Sequence, residues 1–322
     1  MRVALIGSTG FIGQPVARWL IGAGHEVFGI QRGSASTQVP GVRSLTADHH
    51  DLPVLASALA RAAPAVVVAM VAYTEEDTDT LTAALPGTVR RLIMISSGDV
   101  YWTYDAFRGL RNPGDAAEPL SETAPLREQL FPYRSHATGP EDLLHSYEKI
   151  LVEQRARAAS PVPVTILRLP MVYGPRDQHQ RVGSYLKRLA AGSSLLRLNP
   201  TEAQWRCTRG YVEDVAWAIA LAAVNERATG EVYNVGEPEA LTELEWAEAI
   251  AQAAGWHGRV VLDPSEPPSL PANWSVPLIM GTGRIRAHLG YDEPVGRAEG
   301  LRRAIRAAAA DSPAPGPDAQ FR

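Results

Sequence analysis

Three glycines near the start of the chain are spaced to cradle a phosphate. Residues 2–6 are Arg-Val-Ala-Leu-Ile, and they run straight into Gly7-Ser8-Thr9-Gly10-Phe11-Ile12-Gly13. An apolar stripe at helical spacing begins at Ile12 and recurs at Val16, Trp19 and Leu20. In such a strand–loop–helix unit one glycine permits the tight turn, one lets the backbone approach a pyrophosphate, and one allows the helix to pack closely on the strand. The phosphates would sit at the helix N-terminus, among N–H groups without intrahelical partners and at the positive end of the helix dipole. The loop therefore predicts a bound dinucleotide, with Gly7, Ser8, Thr9, Gly10, Phe11, Ile12 and Gly13 around its phosphates.

Such a loop works only inside a framework of strands and helices. Buried parallel strands read as short apolar runs without polar alternation, and residues 3–6, 26–30, 65–71, 91–95, 164–169 and 231–235 fit that description. Helical stretches separate them, notably 52–62, 141–157 and 213–224. This alternation predicts right-handed βαβ crossovers and a Rossmann-type, doubly wound parallel α/β sheet. After Gly174-Pro175 the sheet pattern stops and prolines multiply. The division expected is a dinucleotide-binding domain of residues 1–176 and 208–238, with a smaller substrate-binding lobe of 177–207 and 239–310. A cleft would then lie above the C-terminal edge of the sheet. Residues 101–135 form a long insertion of the kind that serves as a lid or binding element, and 311–322, with three prolines, read as a disordered tail.

Bulk properties narrow the class. The 322 residues are 45% hydrophobic and carry a net charge of −4, which argues against a nucleic-acid surface. The single cysteine, Cys207, excludes an internal disulfide framework. No run approaches the ~18 apolar residues of a membrane span, and the short apolar N-terminus leads directly into the glycine loop, so it reads as a strand and not a signal peptide. A cytoplasmic protein with a small-molecule partner, and with neither nucleic acid nor membrane, is expected.

Further motifs fall in order along the chain. They are Ser96-Ser97-Gly98-Asp99-Val100-Tyr101, Lys149-Ile-Leu-Val-Glu153, Leu167-Arg168-Leu169-Pro170-Met171-Val172-Tyr173-Gly174-Pro175, Arg209-Gly-Tyr-Val-Glu-Asp214 and Gly230-Glu-Val-Tyr-Asn234-Val-Gly236. Together with the glycine loop they resemble the extended short-chain dehydrogenase/reductases, the NAD-dependent epimerase/dehydratase family, over roughly residues 1–305. The resemblance implies a sheet of about seven strands, a bound nicotinamide dinucleotide and substrate in the cleft between the lobes. It implies an NAD(P)-dependent oxidoreductase or epimerase acting on a hydroxyl or carbonyl carbon of a small molecule, with secondary metabolism as one setting. A homodimer through the helix carrying Lys149 and its neighbour is also implied. Two other classes stay open: a dinucleotide-binding sensor or scaffold, and a lyase or isomerase that uses the fold without net redox.

When a hydride moves between a substrate carbon and a nicotinamide, a proton must move to or from the substrate oxygen, so an acid/base must reach that oxygen at ~2.6–3.2 Å. A tyrosine does this when a nearby ammonium lowers its pKa, and a serine or threonine hydroxyl supplies a second hydrogen bond. The family carries these as Ser/Thr after the fourth strand and Tyr-x-x-x-Lys on the next helix. Ser97 matches the first, and Asp99 stands where dehydratase members carry a glutamate base. Lys149 aligns by its spacing to Glu153, which puts His145 where the tyrosine should stand; the nearest tyrosine is Tyr147. On a regular helix residues four apart share a face while residues two apart point about 200° away. That geometry favours His145, whose imidazole titrates near neutrality. A helix starting only near Glu148 would instead leave Tyr147 pre-helical and free to enter the site. Three readings follow: Tyr147 or a neighbour is the acid/base, His145 replaces it, or neither acts and the cofactor is bound without ordinary redox turnover or serves other chemistry. Lys149 holds the cofactor ribose in all three.

At the end of the second strand, where an acid would hold the adenosine ribose, the chain has Gln31, followed by Arg32-Gly33-Ser34. Lacking a carboxylate and gaining a guanidinium, the site should favour NADP(H) over NAD(H). The resemblance adds Asp48 as an adenine-amino contact flanked by His49, the backbone of Ala69 and Ala72 behind the ribose, and Pro170 and Val172 beside the cofactor. On the substrate side Met171 stands where nucleotide-sugar members carry asparagine, and a thioether cannot donate to a diphosphate. Arg209 matches a family arginine that meets substrate phosphate, Arg284 could join it, and Tyr101 and Tyr104 at the head of the insertion could line the cleft. A less charged molecule than a nucleotide sugar is expected, and no metal.

Overall fold

The apolar runs become parallel strands covered on both faces. In this computed structural model, which describes residues 1–33, 39–114, 119–191 and 194–311, the strands are β1 (Arg2–Ile6), β2 (Glu26–Gln31), β3 (Arg43–Thr46), β4 (Val66–Ala69), β5 (Arg91–Ser97), β6 (Val164–Leu169), β7 (Met171–Tyr173), β8 (Leu195–Leu198), β9 (Arg209–Tyr211), β10 (Val232–Asn234) and β11 (Arg259–Leu262). Ser34 and the tail from residue 312 lie outside the described residues. Seven strands form one sheet in the order β3-β2-β1-β4-β5-β6-β10, every neighbouring pair parallel. Successive side chains serve opposite faces. Val3 and Leu5 pack with Val16, Leu20 and the helix Val212–Val224, whereas Ala4 and Ile6 pack with Leu55, Leu59, Val152 and Ala156. This is the doubly wound Rossmann-type sheet expected from the sequence.

The strand order reverses between β1 and β4, and the glycine loop leaves β1 at that reversal. Ligands of open α/β sheets bind in the crevice such a switch point creates. Gly7 adopts φ +90°, a conformation open to glycine, and a β-carbon on Gly13 would stand 2.1 Å from the Gly7 carbonyl oxygen. The helix Gly13–Gly22 is thus pressed against its own loop as closely as backbone permits.

Two features depart from the sequence reading. The helix expected over 141–157 is two helices, Leu143–Ser146 and Lys149–Ala159, with Tyr147 outside the helical conformation and Glu148 extended between them. Beyond residue 177, where no sheet was evident, β8 pairs with β11. These strands are four residues long and half exposed, too short for either periodicity to register. Their buried Leu196 and Leu198 join Trp246 and Ile250 in the same hydrophobic core that β1 enters. The insertion folds back onto its own start, Tyr101 bridging Leu126.

Because the Gly7 carbonyl is backbone and cannot swing aside, Gly13→Ala should destabilise the fold by about 1–3 kcal/mol and lower the melting temperature by several degrees. An unchanged thermal midpoint would show that the loop opens without cost.

Candidate active site

Helix capping sets the first helix apart from three others. Asp51, Thr74 and Thr242 cap the helices Leu52–Ala62, Glu75–Ala83 and Glu243–Ala253 with side-chain hydrogen bonds. The helix Gly13–Gly22 has no such cap and no acid in its first turn. The Gln14 N–H is taken by the Gly10 carbonyl (3.2 Å), and no side chain competes with an anion for the rest of the first turn. A cavity of about 830 Å³ opens beside this end, lined by Gly7, Thr9 and Gly10 at one side and by Gln31, Arg32 and His49 at the other. Its size suits an extended dinucleotide, and the donors match phosphate, so the residues present fit the implied cofactor. Gln31 is buried and its Oε1 accepts from Ser8 Oγ (3.1 Å), while Arg32 is exposed at the rim.

On the other side of the switch point β5 delivers Ser97 and, through the turn Gly98–Val100, Asp99. Ser97 Oγ accepts the Asp99 N–H (3.2 Å). Tyr147, freed from helical geometry, donates its hydroxyl to Asp99 Oδ2 (3.0 Å). Tyr133, from the insertion, donates to the same oxygen (2.9 Å), and Tyr104 donates to Tyr133 (3.1 Å). Burial pushes the Asp99 carboxyl above its ordinary range, against the pull of Arg127, the two phenols and Lys149. Burial, and then the Asp99 charge, lift the Tyr147 and Tyr133 phenols well above theirs, with the Ser97 hydroxyl opposing at Tyr147. Tyr147 is therefore a held proton donor and not the phenolate that an adjacent ammonium would produce.

That ammonium is engaged elsewhere. Lys149 is 3% exposed, and its Nζ donates to the Ala72 and Ile95 carbonyls, the latter at 2.9 Å. It lies 4.6 Å from the Tyr73 ring centroid and 5.9 Å from that of Tyr147. Loss of water lowers its pKa to about 8, and its place at the first position of a helix opposes a cation further.

The structure brings Ser97, Asp99, Tyr147 and Lys149 together and leaves His145 aside. His145 sits on the separate short helix, its carbonyl accepting Arg134 Nε (2.8 Å); the face it would share with Lys149 requires a continuous helix that is absent. Several substrate assignments also move. Tyr101 is wholly buried, bonded to Asn234 (2.6 Å) and Arg168 (3.0 Å), and lines no cleft. The Arg209 guanidinium is buried against Glu243 and over the Trp246 ring, so it is not free for a phosphate, and Arg284 lies exposed in a surface pair with Glu231. Met171 packs against the buried cluster that holds Phe107, Trp205 and Trp274, and accepts the Cys207 thiol at 3.7 Å. Val172 is a core residue, and Pro170 would touch β-carbons placed on Gly210 and Gly236. Asp48 is exposed and accepts the His50 N–H (3.1 Å); Asp48, His49 and His50 bring one ligand atom each within 4.8 Å of one another, the one metal-like grouping among the described residues.

Four residues escaped sequence reading. Tyr133 sits in an insertion with no periodic signal. Arg127 and Glu148 form a buried ion pair (2.8 Å) that fixes the break before Lys149. Tyr73 lies over the ammonium. The Asx-like stop at Glu148, three residues before a new apolar turn, was the available clue.

A buried ammonium with a lowered pKa makes stability depend on pH. The unfolded chain keeps that proton up to about 10.5 whereas the folded chain releases it near 8, so the folded state gains stability between those values. Wild type should therefore gain up to about 3 kcal/mol relative to Lys149→Met between pH 7.5 and 10.5, read as the pH dependence of the difference in unfolding free energy. A flat difference would show that the ammonium is not desolvated.

A profile of the NAD dependent epimerase/dehydratase family matches residues 3–236. The 2'-dehydrokanamycin reductase of Streptomyces kanamyceticus is 25% identical over 283 residues, covering 85% of this chain and 71% of that protein. The 3-diazoavenalumate denitrifying reductase of a Streptomyces species is 27% identical over 259 residues, 79% and 82% of the two chains. Among solved structures, the UDP-glucose 4-epimerase of Thermus thermophilus, in complex with NAD, superposes with a TM-score of 0.70 at 23% identity, over 97% of this chain and 100% of that one, which shows the shared fold. With the family match spanning most of the chain, this protein belongs to the NAD dependent epimerase/dehydratase family and is an enzyme of that oxidoreductase and epimerase group.

Proposed function

We propose that this protein reduces a carbonyl group of a small, weakly charged molecule, using NADPH in preference to NADH. The observation that carries this reading is the Tyr147 phenol, held protonated beside Ser97 where a forming alkoxide needs a proton. The dinucleotide, when bound, supplies the hydride; the chain supplies position, proton and charge. Ser97 Oγ is oriented by the Asp99 N–H and keeps its own hydrogen to donate to the substrate oxygen. Tyr147 donates the second hydrogen bond and then the proton. Lys149 presents an ammonium satisfied only by two carbonyls, ready for a ribose hydroxyl.

For the cofactor, Gln31 places a neutral amide where a carboxylate would repel a 2′-phosphate, and Arg32 stands exposed at the same rim of the cavity. For the substrate, the inward Arg209 is neutralised by Glu243 and the cluster against which Met171 packs is aromatic, a poor home for a diphosphate. That both named bacterial relatives are reductases supports reduction over epimerisation.

Calorimetric titration should give tighter binding for NADPH than for NADH, with Arg32→Ala removing most of the difference; tighter NADH binding would overturn the cofactor assignment. With NADPH and trifluoroacetophenone, a ketone activated enough to need no tailored pocket, Tyr147→Phe should lose about 10²–10⁴-fold in kcat and Ser97→Ala about 10²-fold, both with unchanged NADPH affinity. Full activity in both variants would remove this site from the chemistry.

A further inference from the structure

The carboxyl group at the centre of the tyrosine cluster is bonded unevenly. Asp99 Oδ2 receives two phenols, Tyr147 and Tyr133, while Oδ1 is buried with no partner at all. An ionised carboxylate offers acceptor sites on both oxygens and is costly to bury with one of them bare. The charged groups facing it are Arg127 from the insertion and Lys149 from the following helix, and neither reaches Oδ1: Arg127 is bonded to Glu148 and to the Asp99 backbone carbonyl, Lys149 to the Ala72 and Ile95 carbonyls. There is also a constraint from proton transfer itself. If Asp99 were ionised when Tyr147 gave up its proton, two negative charges would stand 3.0 Å apart.

We propose that Asp99 is the proton store for Tyr147, handing a proton to the Tyr147 oxygen as Tyr147 hands its own to the substrate oxygen. The step rests on the carbonyl-reduction reading above and balances as follows. In the protonated form the Asp99 hydrogen lies on Oδ2 and is donated to the Tyr147 oxygen across the same 3.0 Å contact, which turns the phenol hydrogen towards the substrate; the Asp99 O–H bond then breaks as an O–H bond forms at Tyr147, and the original Tyr147 O–H bond breaks as one forms on the substrate oxygen. The carbonyl carbon takes its hydride from the reduced nicotinamide dinucleotide, and one negative charge is left on Asp99. There Tyr133 donates to it, with Tyr104 donating to Tyr133 in turn. Tyr133 and Tyr104 are only partly buried, so the carboxylate regains its proton from solvent along them. Asp99 acts through Tyr147 and is a positioning and proton-supplying residue that need not touch the substrate.

Two titrations of the free protein decide the matter without any substrate. Infrared difference spectra should show a protonated carboxyl that ionises above the ordinary carboxylic range, absent from Asp99→Asn and moved to still higher pH in Tyr133→Phe, which lacks a donor to the charged form. Ultraviolet titration should show one tyrosinate, missing in Tyr147→Phe, that forms at lower pH in Asp99→Asn than in wild type because the neighbouring charge is gone. With NADPH and trifluoroacetophenone, kcat should fall as pH rises through the same ionisation; Asp99→Asn should be at least tenfold slower and lose that limb at unchanged KM for NADPH, and Asp99→Glu should restore it. A wild-type Asp99 already ionised at about pH 5, or an Asp99→Asn variant that keeps the wild-type limb, overturns the proposal. Absence of ketone reduction refutes the reductase reading alone, since both titrations still report on the proton store.

Discussion

The Glu148 carboxylate is the point on which the candidate site turns. One of its oxygens accepts the Ile150 N–H (2.9 Å) and so caps the helix Lys149–Ala159. The same carboxylate pairs with Arg127 and accepts the Phe131 N–H (2.6 Å), binding the insertion to the helix start. Both partners of the ion pair are fully buried, so removing either would strand a charge, at a cost of about 3–5 kcal/mol. Because Glu148 caps, it cannot be helical; because it is extended, Tyr147 before it leaves the helical path. The Tyr147 hydroxyl then meets Asp99, and Arg127 carries Tyr133 to the same oxygen six residues further along the insertion. Remove this carboxylate and the two tyrosines lose their reason to converge.

Around that clamp the chain tolerates energetic losses that a structural core would avoid. Lys149 keeps a buried ammonium on two carbonyl oxygens, Asp99 keeps a bare oxygen, and Phe131 adopts a left-handed φ of +58° while the Arg134 guanidinium lies 3.7 Å over its ring. A bulky residue at positive φ is strained, and the strain falls on the segment that delivers Tyr133. On the neighbouring strand the buried polar groups are matched: Arg168 is bidentate to Glu153, which also accepts Ser96, and Asn234 accepts Tyr101. The bare Asp99 oxygen and the ammonium held by two carbonyls thus stand beside well-satisfied neighbours, as expected where a ligand completes the polar contacts.

The sheet, the glycine loop and Ser97 were legible because they rest on local pattern: a strand buried on both faces leaves an unbroken apolar run, and a loop cut by glycines leaves its spacing. Tyr147 against His145 was not decidable in that way, since the answer depends on where a helix begins, and Glu148 begins it only with a partner 21 residues away. Tyr101 and Arg209 failed for the converse reason. Each matches a motif by position, but Arg168 and Asn234 claim the first and Glu243 the second across distances that spacing does not encode. The β8–β11 pair was hidden by strands too short to carry a period. Long-range polar pairing, more than packing, set the boundary of what could be read.

Spacing and geometry can therefore part company without the chemistry being lost. A tyrosine four residues before a lysine reaches the substrate oxygen from the side of a helix; a tyrosine two residues before it reaches Ser97 and Asp99 from beyond the helix end. The second route gives up the short approach by which an ammonium would acidify the phenol, for Lys149 lies nearer Tyr73 than Tyr147. What replaces it is a carboxyl whose burial raises its own affinity for a proton and that of the phenol bonded to it. A phenol acidified by a cation can give or take a proton near neutrality, whereas one whose proton affinity a buried carboxyl raises stays protonated and parts with its proton only as another replaces it. The altered spacing thus changes what prepares the phenol: a buried carboxyl able to hold a proton of its own, in place of a cation that would acidify it.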